Sequence, residues 1–157
     1  MIICSKRRCS YHVSDGCTLH GAFDFKFGNE HRGLTDQKFA KLHDAYEYLQ
    51  VLIIDEVSLI GADMLYQIHL RLCEIKKNPK ELFGGISVIL VGDLMQLAPV
   101  KGKYIFDEPN NPKFRPFHNV NSLWHSFKPM ILSHNHRQGT KYILKANIVF
   151  TIIIFYS

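Results

Sequence analysis

The chain has 157 residues and a formal net charge of +5, with nine further histidines. Its 46% hydrophobic and 21% charged residues are ordinary for one globular α/β domain with a sizeable core. The start MIICSKRRCS has too short an apolar run for a secretory signal. Cys4, Cys9, Cys17 and Cys73 do not space out as a disulfide framework, which fits a reducing compartment. Nor does Cys4, Cys9, Cys17 and His20 match a common structural zinc spacing. The positive charge allows a polyanion partner without requiring one.

In chain order, Met1–Cys4 reads as the end of a short strand. Asp15-Gly16 signals a turn. In the following CTLHGAF, Thr18 and His20 lie on one side of an extended or early helical segment, and a surface imidazole is the plain reading of His20. Phe23, Phe25 and Phe27 alternate with other residues, which predicts a strand or an extended loop edge. They serve either as core aromatics or as stacking platforms for bases. Thr35 or Asp36 caps a helix to about Tyr48, with Phe39, Leu42, Tyr46 and Leu49 at helical spacing.

The stretch VLIIDEVS, Val51–Ser58, organises the rest. Its apolar half predicts a strand buried on both faces, as in a parallel sheet. Asp55 and Glu56 fall at the carboxyl end of that strand, the edge at which open α/β sheets bind ligands. Two adjacent acids there cost desolvation energy unless a cation sits opposite. A hydrated Mg²⁺ carrying a nucleoside triphosphate is the expected cation. Asp55 then holds the metal, and Glu56 orients and deprotonates the attacking water. The bland alternative is a strand that ends in solvated acids.

Gly61 breaks the chain, and Ala62 to about Lys76 reads as a second helix with a Leu65, Ile68, Leu72, Ile75 stripe, ended by Asn78-Pro79. Phe83-Gly84-Gly85 reads as a turn. Ile86–Val91 is another buried-strand run, tipped by Gly92-Asp93. Gln96, just beyond, has an amide able to donate to a terminal phosphate while accepting from a water, or it is a surface amide. From Lys101 to Asn121 the chain reads as a long surface connection. Ser122–Phe127 predicts a short helix, and Pro129–Leu132 a third strand. Arg137, after that strand, is suited to a rim salt bridge or to nucleotide phosphates. The apolar run IVFTIIIFY near the end is nine residues long, too short for a bilayer span of about 20. Its β-branched content makes an exposed copy an aggregation hazard.

The order TLH, LIIDEVS, FGGISVILVGDLMQLAPV and NHRQG resembles the superfamily-one ATP-dependent DNA helicases of the petite-integration-frequency type, including relatives carried by Helitron transposons. The likeness runs from about Cys9 to Gly139 and is dense from Leu49 to Val100. FRPFHNVNSLWHSF, leading into NHRQG, is similar to the same family.

The resemblance implies roles. Asp55 is the residue that holds Mg²⁺ through water, and Glu56 is the general base. Gly92, Asp93 and Gln96 match the motif in which the Gln couples the γ-phosphate to DNA. Arg137 matches an arginine that neutralises charge on the transferred phosphate. Thr18 and His20 match a segment that touches the single-strand backbone. ATP and Mg²⁺ are the implied cofactors.

The implied fold is α/β: a three-layer RecA-like P-loop NTPase domain with a mostly parallel sheet, incomplete. Residues 1–140 form the partial motor domain, and residues 141–157 are an aberrant apolar tail. The implied activity is ATP-driven DNA unwinding in repair, recombination and telomere maintenance, acting on single-stranded DNA and duplex junctions. The implied setting is intracellular and nuclear, with the mitochondrion as alternative and no membrane partner.

Departures qualify the activity. No G-x-x-x-x-G-K-[ST] occurs in the 157 residues. In the family this loop lies just upstream of the matching region, and without it the β- and γ-phosphates lack a cradle. Nor do these 157 residues include a match to the family's second RecA-like domain. KRRCS replaces a small-residue stretch, and an apolar tail replaces a polar helix after Gly139. The chain resembles the middle of a helicase gene and is expected to be inactive alone. The other readings are a catalytically dead nucleic-acid-binding remnant and a non-functional gene fragment.

Overall fold

A computed structural model describes residues 2–4, 17–26, 32–100, 102–111, 114, 123–132 and 150–155. Its frame is one six-stranded sheet in the order β2-β1-β3-β4-β6-β5. The strands are β1 (Ile2–Cys4), β2 (Cys17–Thr18), β3 (Val51–Asp55), β4 (Ser87–Gly92), β5 (Lys128–Leu132) and β6 (Phe150–Phe155). β2, β1, β3 and β4 pair in parallel, and β6 pairs antiparallel with both β4 and β5. Only β6 therefore runs against the other strands, and the sheet is mostly parallel.

The helices are α1 (Leu19–Phe23), α2 (Asp36–Tyr46) and α3 (Ala62–Lys76). The residues of α3 explain its length. Gly61 supplies an extended N-cap and Lys77 ends the helix in a left-handed turn, its N–H returning to Cys73 and Glu74 carbonyls. Leu65, Ile68, Leu72 and Ile75 are all at most 1% exposed. They share one apolar cluster with Leu52, Ile54, Val88 and Leu90 of the central strands and with Leu19, Ala22 and Phe23 of α1. α2 buries no residue fully. It lies over α1 and α3 by its partly buried stripe, with the Tyr46 hydroxyl donating to the Ala22 carbonyl at 2.9 Å and His43 Nδ1 2.7 Å from the Ile75 carbonyl.

Three expectations change. The central strands are buried on one face only. Leu52, Ile54, Val88 and Leu90 are sealed, whereas Val51 is exposed and Ile53, Ile89 and Val91 are half-buried. The physical reason is that all the described helices pack on the first face.

Phe23 and Phe25 do not form a strand. Phe23 closes α1, Asp24 turns left-handed at φ 52°, and both rings enter the core. Phe27 lies outside the described residues. Lastly, part of the apolar run set apart in 141–157 is Phe150–Phe155, which forms β6 between β4 and β5, with Ile153 fully buried. Pairing on both sides satisfies its backbone groups, and alternation aims Ile153 and Phe155 at the core.

Phe83 is the other surprise of packing. The Leu82–Gly85 turn is held against α3, and a side chain at Gly84 would meet the Leu72 carbonyl oxygen at 2.7 Å. This places Phe83, fully buried, against His69, Phe127 and Phe155 at ring-centroid distances of 5.4, 5.6 and 5.2 Å.

Candidate functional site

Parallel pairing aligns strand ends. Ile54 pairs with Leu90, so Asp55 leaves β3 level with the end of β4. On the other side Cys4 pairs with both Asp55 and Thr18. Thr18, Asp55, Glu56, Gly92 and Asp93 therefore meet at one sheet edge. Thr18 is two strands from Asp55, about 10 Å by strand spacing.

The two acid-bearing tips are in close contact. Gly92 has φ +144°, and a Cβ there would lie 2.9 Å from the Val57 nitrogen and 3.4 Å from the Glu56 Cα. Only glycine lets the β4 tip approach so near. We expect Gly92→Ala to destabilise the fold by about 1–3 kcal/mol through backbone strain and this clash. A urea titration checks it, and a loss below about 0.5 kcal/mol would contradict the close approach.

Glu56 is held in the left-handed region, φ 58° and ψ 51°, at the entry to a single 3₁₀ turn, Val57–Leu59. A non-glycine residue there is strained. The conformation is braced from both sides: the Glu56 N–H donates to Asp55 Oδ1 at 2.8 Å, and the Leu59 N–H donates to the Glu56 carbonyl at 3.1 Å. Both Asp55 and Glu56 are half-buried.

Asp93 is buried, and its Oδ1 accepts the Met95 N–H at 2.9 Å while its carbonyl accepts the Gln96 N–H at 3.2 Å. Asp93 is thus the pivot of the loop that carries Gln96. The Gln96 side chain itself is exposed. Thr18 spends its hydroxyl as the N-cap of α1, accepting the Gly21 N–H at 3.2 Å. His20 is half-buried, edge-on to Phe25 at 6.3 Å. Arg137 lies outside the described residues.

The donor set suits a magnesium ion that arrives with a nucleotide. Among the described residues no three His, Cys, Asp or Glu side chains gather as a metal cage. Mg²⁺ needs none, since it is commonly held by one or two carboxylates, substrate phosphates and its own waters. Asp55 offers a carboxylate already oriented by one backbone N–H.

A model of the PIF1-like helicase family matches residues 2–147. The chain belongs to the PIF1-like helicases. Among curated relatives of this family, the ATP-dependent DNA helicase RRM3 of Saccharomyces cerevisiae is 37% identical over 102 residues, covering 63% of this chain and 14% of RRM3. The ATP-dependent DNA helicase Pif1 of a Psychrobacter species is 39% identical over 97 residues, covering 62% of this chain and again 14% of the relative. Among solved structures, a Bacteroides Pif1 in complex with ADP-AlF4 superposes with a TM-score of 0.56 at 30% identity, over 66% of this chain and 24% of that one. Bacteroides Pif1 bound to single-stranded DNA gives 0.53 at 28% identity, over 64% and 24%. This PIF1-like chain thus spans about a tenth to a seventh of the curated helicases it matches and about a quarter of the solved ones. The RecA-like α/β fold of those structures is the fold of the mostly parallel sheet described above.

Two features, one at this site and one elsewhere in α3, where Arg71 is 3% exposed, were not read from sequence. The tight approach at Gly92 had a signal, a glycine between an apolar run and an acid. The buried guanidinium of Arg71 had none, because an arginine inside a helix reads as solvated.

Proposed function

We propose that this chain carries the central part of an ATP-dependent DNA helicase motor, residues 1–140 together with the β6 strand contributing the motor domain. In it, Asp55 holds Mg²⁺ through a bound water, and Glu56 takes the proton of the water that attacks the γ-phosphate. Asp93 positions the loop from which Gln96 links nucleotide state to DNA. Arg137 neutralises the transferred phosphate, and Thr18 and His20 contact the single strand. When bound, Mg²⁺-ATP supplies the phosphoryl group and the charge that the two acids face. The family also points to forked or junction DNA in repair, recombination and telomere maintenance, and to the nucleus or mitochondrion as the compartment.

The observation that carries this reading is the strained, twice-braced Glu56 packed against Gly92 at the edge shared with Thr18. Backbone strain of this kind concentrates at functional sites. A solvated strand end has no need of it.

Purified residues 1–157 test the reading. The 157 residues contain no glycine-rich phosphate loop, so we expect no DNA-stimulated ATP hydrolysis. We also expect single-stranded DNA binding that weakens as salt rises. Failure to bind a fluorescent oligothymidylate at low salt would remove the DNA part of the proposal. ATP hydrolysis abolished by Glu56→Gln would show instead that these residues suffice for catalysis.

A further inference from the structure

Away from the acidic edge, a cavity of about 120 Å³ opens between the end of α1 and the start of α2. Among the described residues, four cationic ones line it, Lys26, Arg32, Lys38 and Arg71, against one carboxylate, Asp24. Arg71 is the unusual member, because it is only 3% exposed. Its Nη1 donates to Glu74 Oε2 at 2.6 Å and its Nη2 to the Arg32 carbonyl at 2.9 Å. Its guanidinium lies 5.7 Å from the centre of the Phe25 ring. Its Nε–H has no acceptor among the described residues. A buried donor left without an acceptor is unfavourable, and native folds seldom keep one without a use.

The surroundings fit an anion. Glu74 also accepts the Leu34 N–H at 2.8 Å through Oε1, which pins the strap before α2 beside Arg71. Thr35, in the lining, begins α2 without capping it through its side chain, so the first-turn amides are not taken by that hydroxyl. Asp24 samples the local field: a hydrogen bond from Lys38 holds its carboxyl below the usual range, and Arg71 and Lys26 act in the same direction. The Lys38–Asp24 pair is nearly half exposed on both sides, so it exchanges readily for a stronger anion. The volume is far below the roughly 300 Å³ at which pockets begin to take whole small molecules. It suits a single phosphate group.

The Phe25 ring that lines this cavity is the ring against which His20 stands. We propose that the cavity binds a backbone phosphate of the single strand, with Lys26 and Lys38 as donors, Asp24 displaced, and the Arg71 Nε–H, sealed from solvent in this structure, uncovered by that displacement. This rests on the assignment of Thr18 and His20 to DNA and extends that path past the carboxyl edge of the sheet.

The test is the side-chain ¹H–¹⁵N spectrum of residues 1–157, in which Arg71→Lys identifies the Arg71 Nε–H resonance. A short oligothymidylate is expected to move that resonance saturably, and inorganic phosphate to move it the same way at higher concentration. A shift with free phosphate but none with DNA overturns the backbone assignment, and silence with both overturns the site. A second measurement does not depend on how well the Arg71 variant folds. In anisotropy titrations Asp24→Asn is expected to tighten oligothymidylate binding. Lys26→Ala is expected to lower the slope of log affinity against log salt by about 0.7, the value for one single-strand phosphate. Unchanged affinity and slope in both variants, with wild-type binding intact, overturns the cavity while leaving the DNA reading of Thr18 and His20 in place. If the wild-type chain binds no DNA while phosphate still moves the Arg71 signal, the strand reading and the backbone assignment both fail.

Discussion

Glu56→Gln lowers DNA-stimulated ATP turnover by about 10²- to 10⁴-fold in a chimera that carries Leu49–Val100 of this chain in place of the matching segment of Bacteroides Pif1. That range is the usual contribution of a positioned general base. It corresponds to about 3–5 kcal/mol of transition-state stabilisation. The substitution keeps the side-chain shape, removes the proton acceptor and leaves the backbone where it is. Nucleotide affinity should therefore change little, and the loss should fall on kcat.

Glu56→Gly separates catalysis from stability in the same chimera. It removes the left-handed strain at φ 58°, which costs about 1–2 kcal/mol. It also adds backbone freedom to the unfolded chain, which offsets roughly 0.5–1 kcal/mol. The expected result is a protein nearly as stable as before and catalytically silent. Steady-state kinetics beside a thermal melt measure both. A Gln variant within tenfold of the parent would strip Glu56 of its role as base.

Phe83→Ala is expected to be the most damaging single change to the fold, at about 3–5 kcal/mol. The ring is fully buried, and three other rings rest on it, those of His69, Phe127 and Phe155. Two of these belong to the last described third of the chain, so the cavity would loosen β6 and the turn before β5 together. The Phe83 N–H also donates to His69 Nδ1 at 2.9 Å, which fixes that imidazole as the acceptor at Nδ1. For a domain of this size the loss corresponds to a fall in Tm of about 6–20 °C. A melt of residues 1–157 that drops by only 1 or 2 °C would show that the cluster does not hold these elements together.

The elements that carry the site were legible because their apolar periodicity is strong. Val51–Asp55, Ala62–Lys76 and Ser87–Gly92 fall within a residue or so of the expected bounds. The pairing of acids at one edge followed from the rule that parallel strands end together. One-sided burial was not legible, since Ile53 and Ile89 are as apolar as Leu52 and Leu90, and only the placement of helices separates them.

The alternation of Phe23 and Phe25 misled for a related reason. Five residues suffice for a helix when Thr18 caps one end and Asp24 turns left-handed at the other, and that local chemistry outweighs a period of two. Gln96 is exposed at the far side of the Asp93 turn, a placement that the sequence left open between a phosphate sensor and a surface amide. Motif order fixes its place along the chain and says nothing of how far the Asp93 turn carries it. Phe83 was read as part of a turn, because a ring that faces the interior from a glycine corner leaves no periodic trace.

The interleaving of the last two strands bears on how this polypeptide can be shortened. β5's described neighbour is β6, and β6 in turn covers the flank of β4. A stop codon anywhere before Phe150 would thus unmoor β5 as well and leave the row of N–H and C=O groups along β4 bare to foreign strands. Expression boundaries for this protein belong after Phe155, and shorter versions should be recovered as insoluble aggregates.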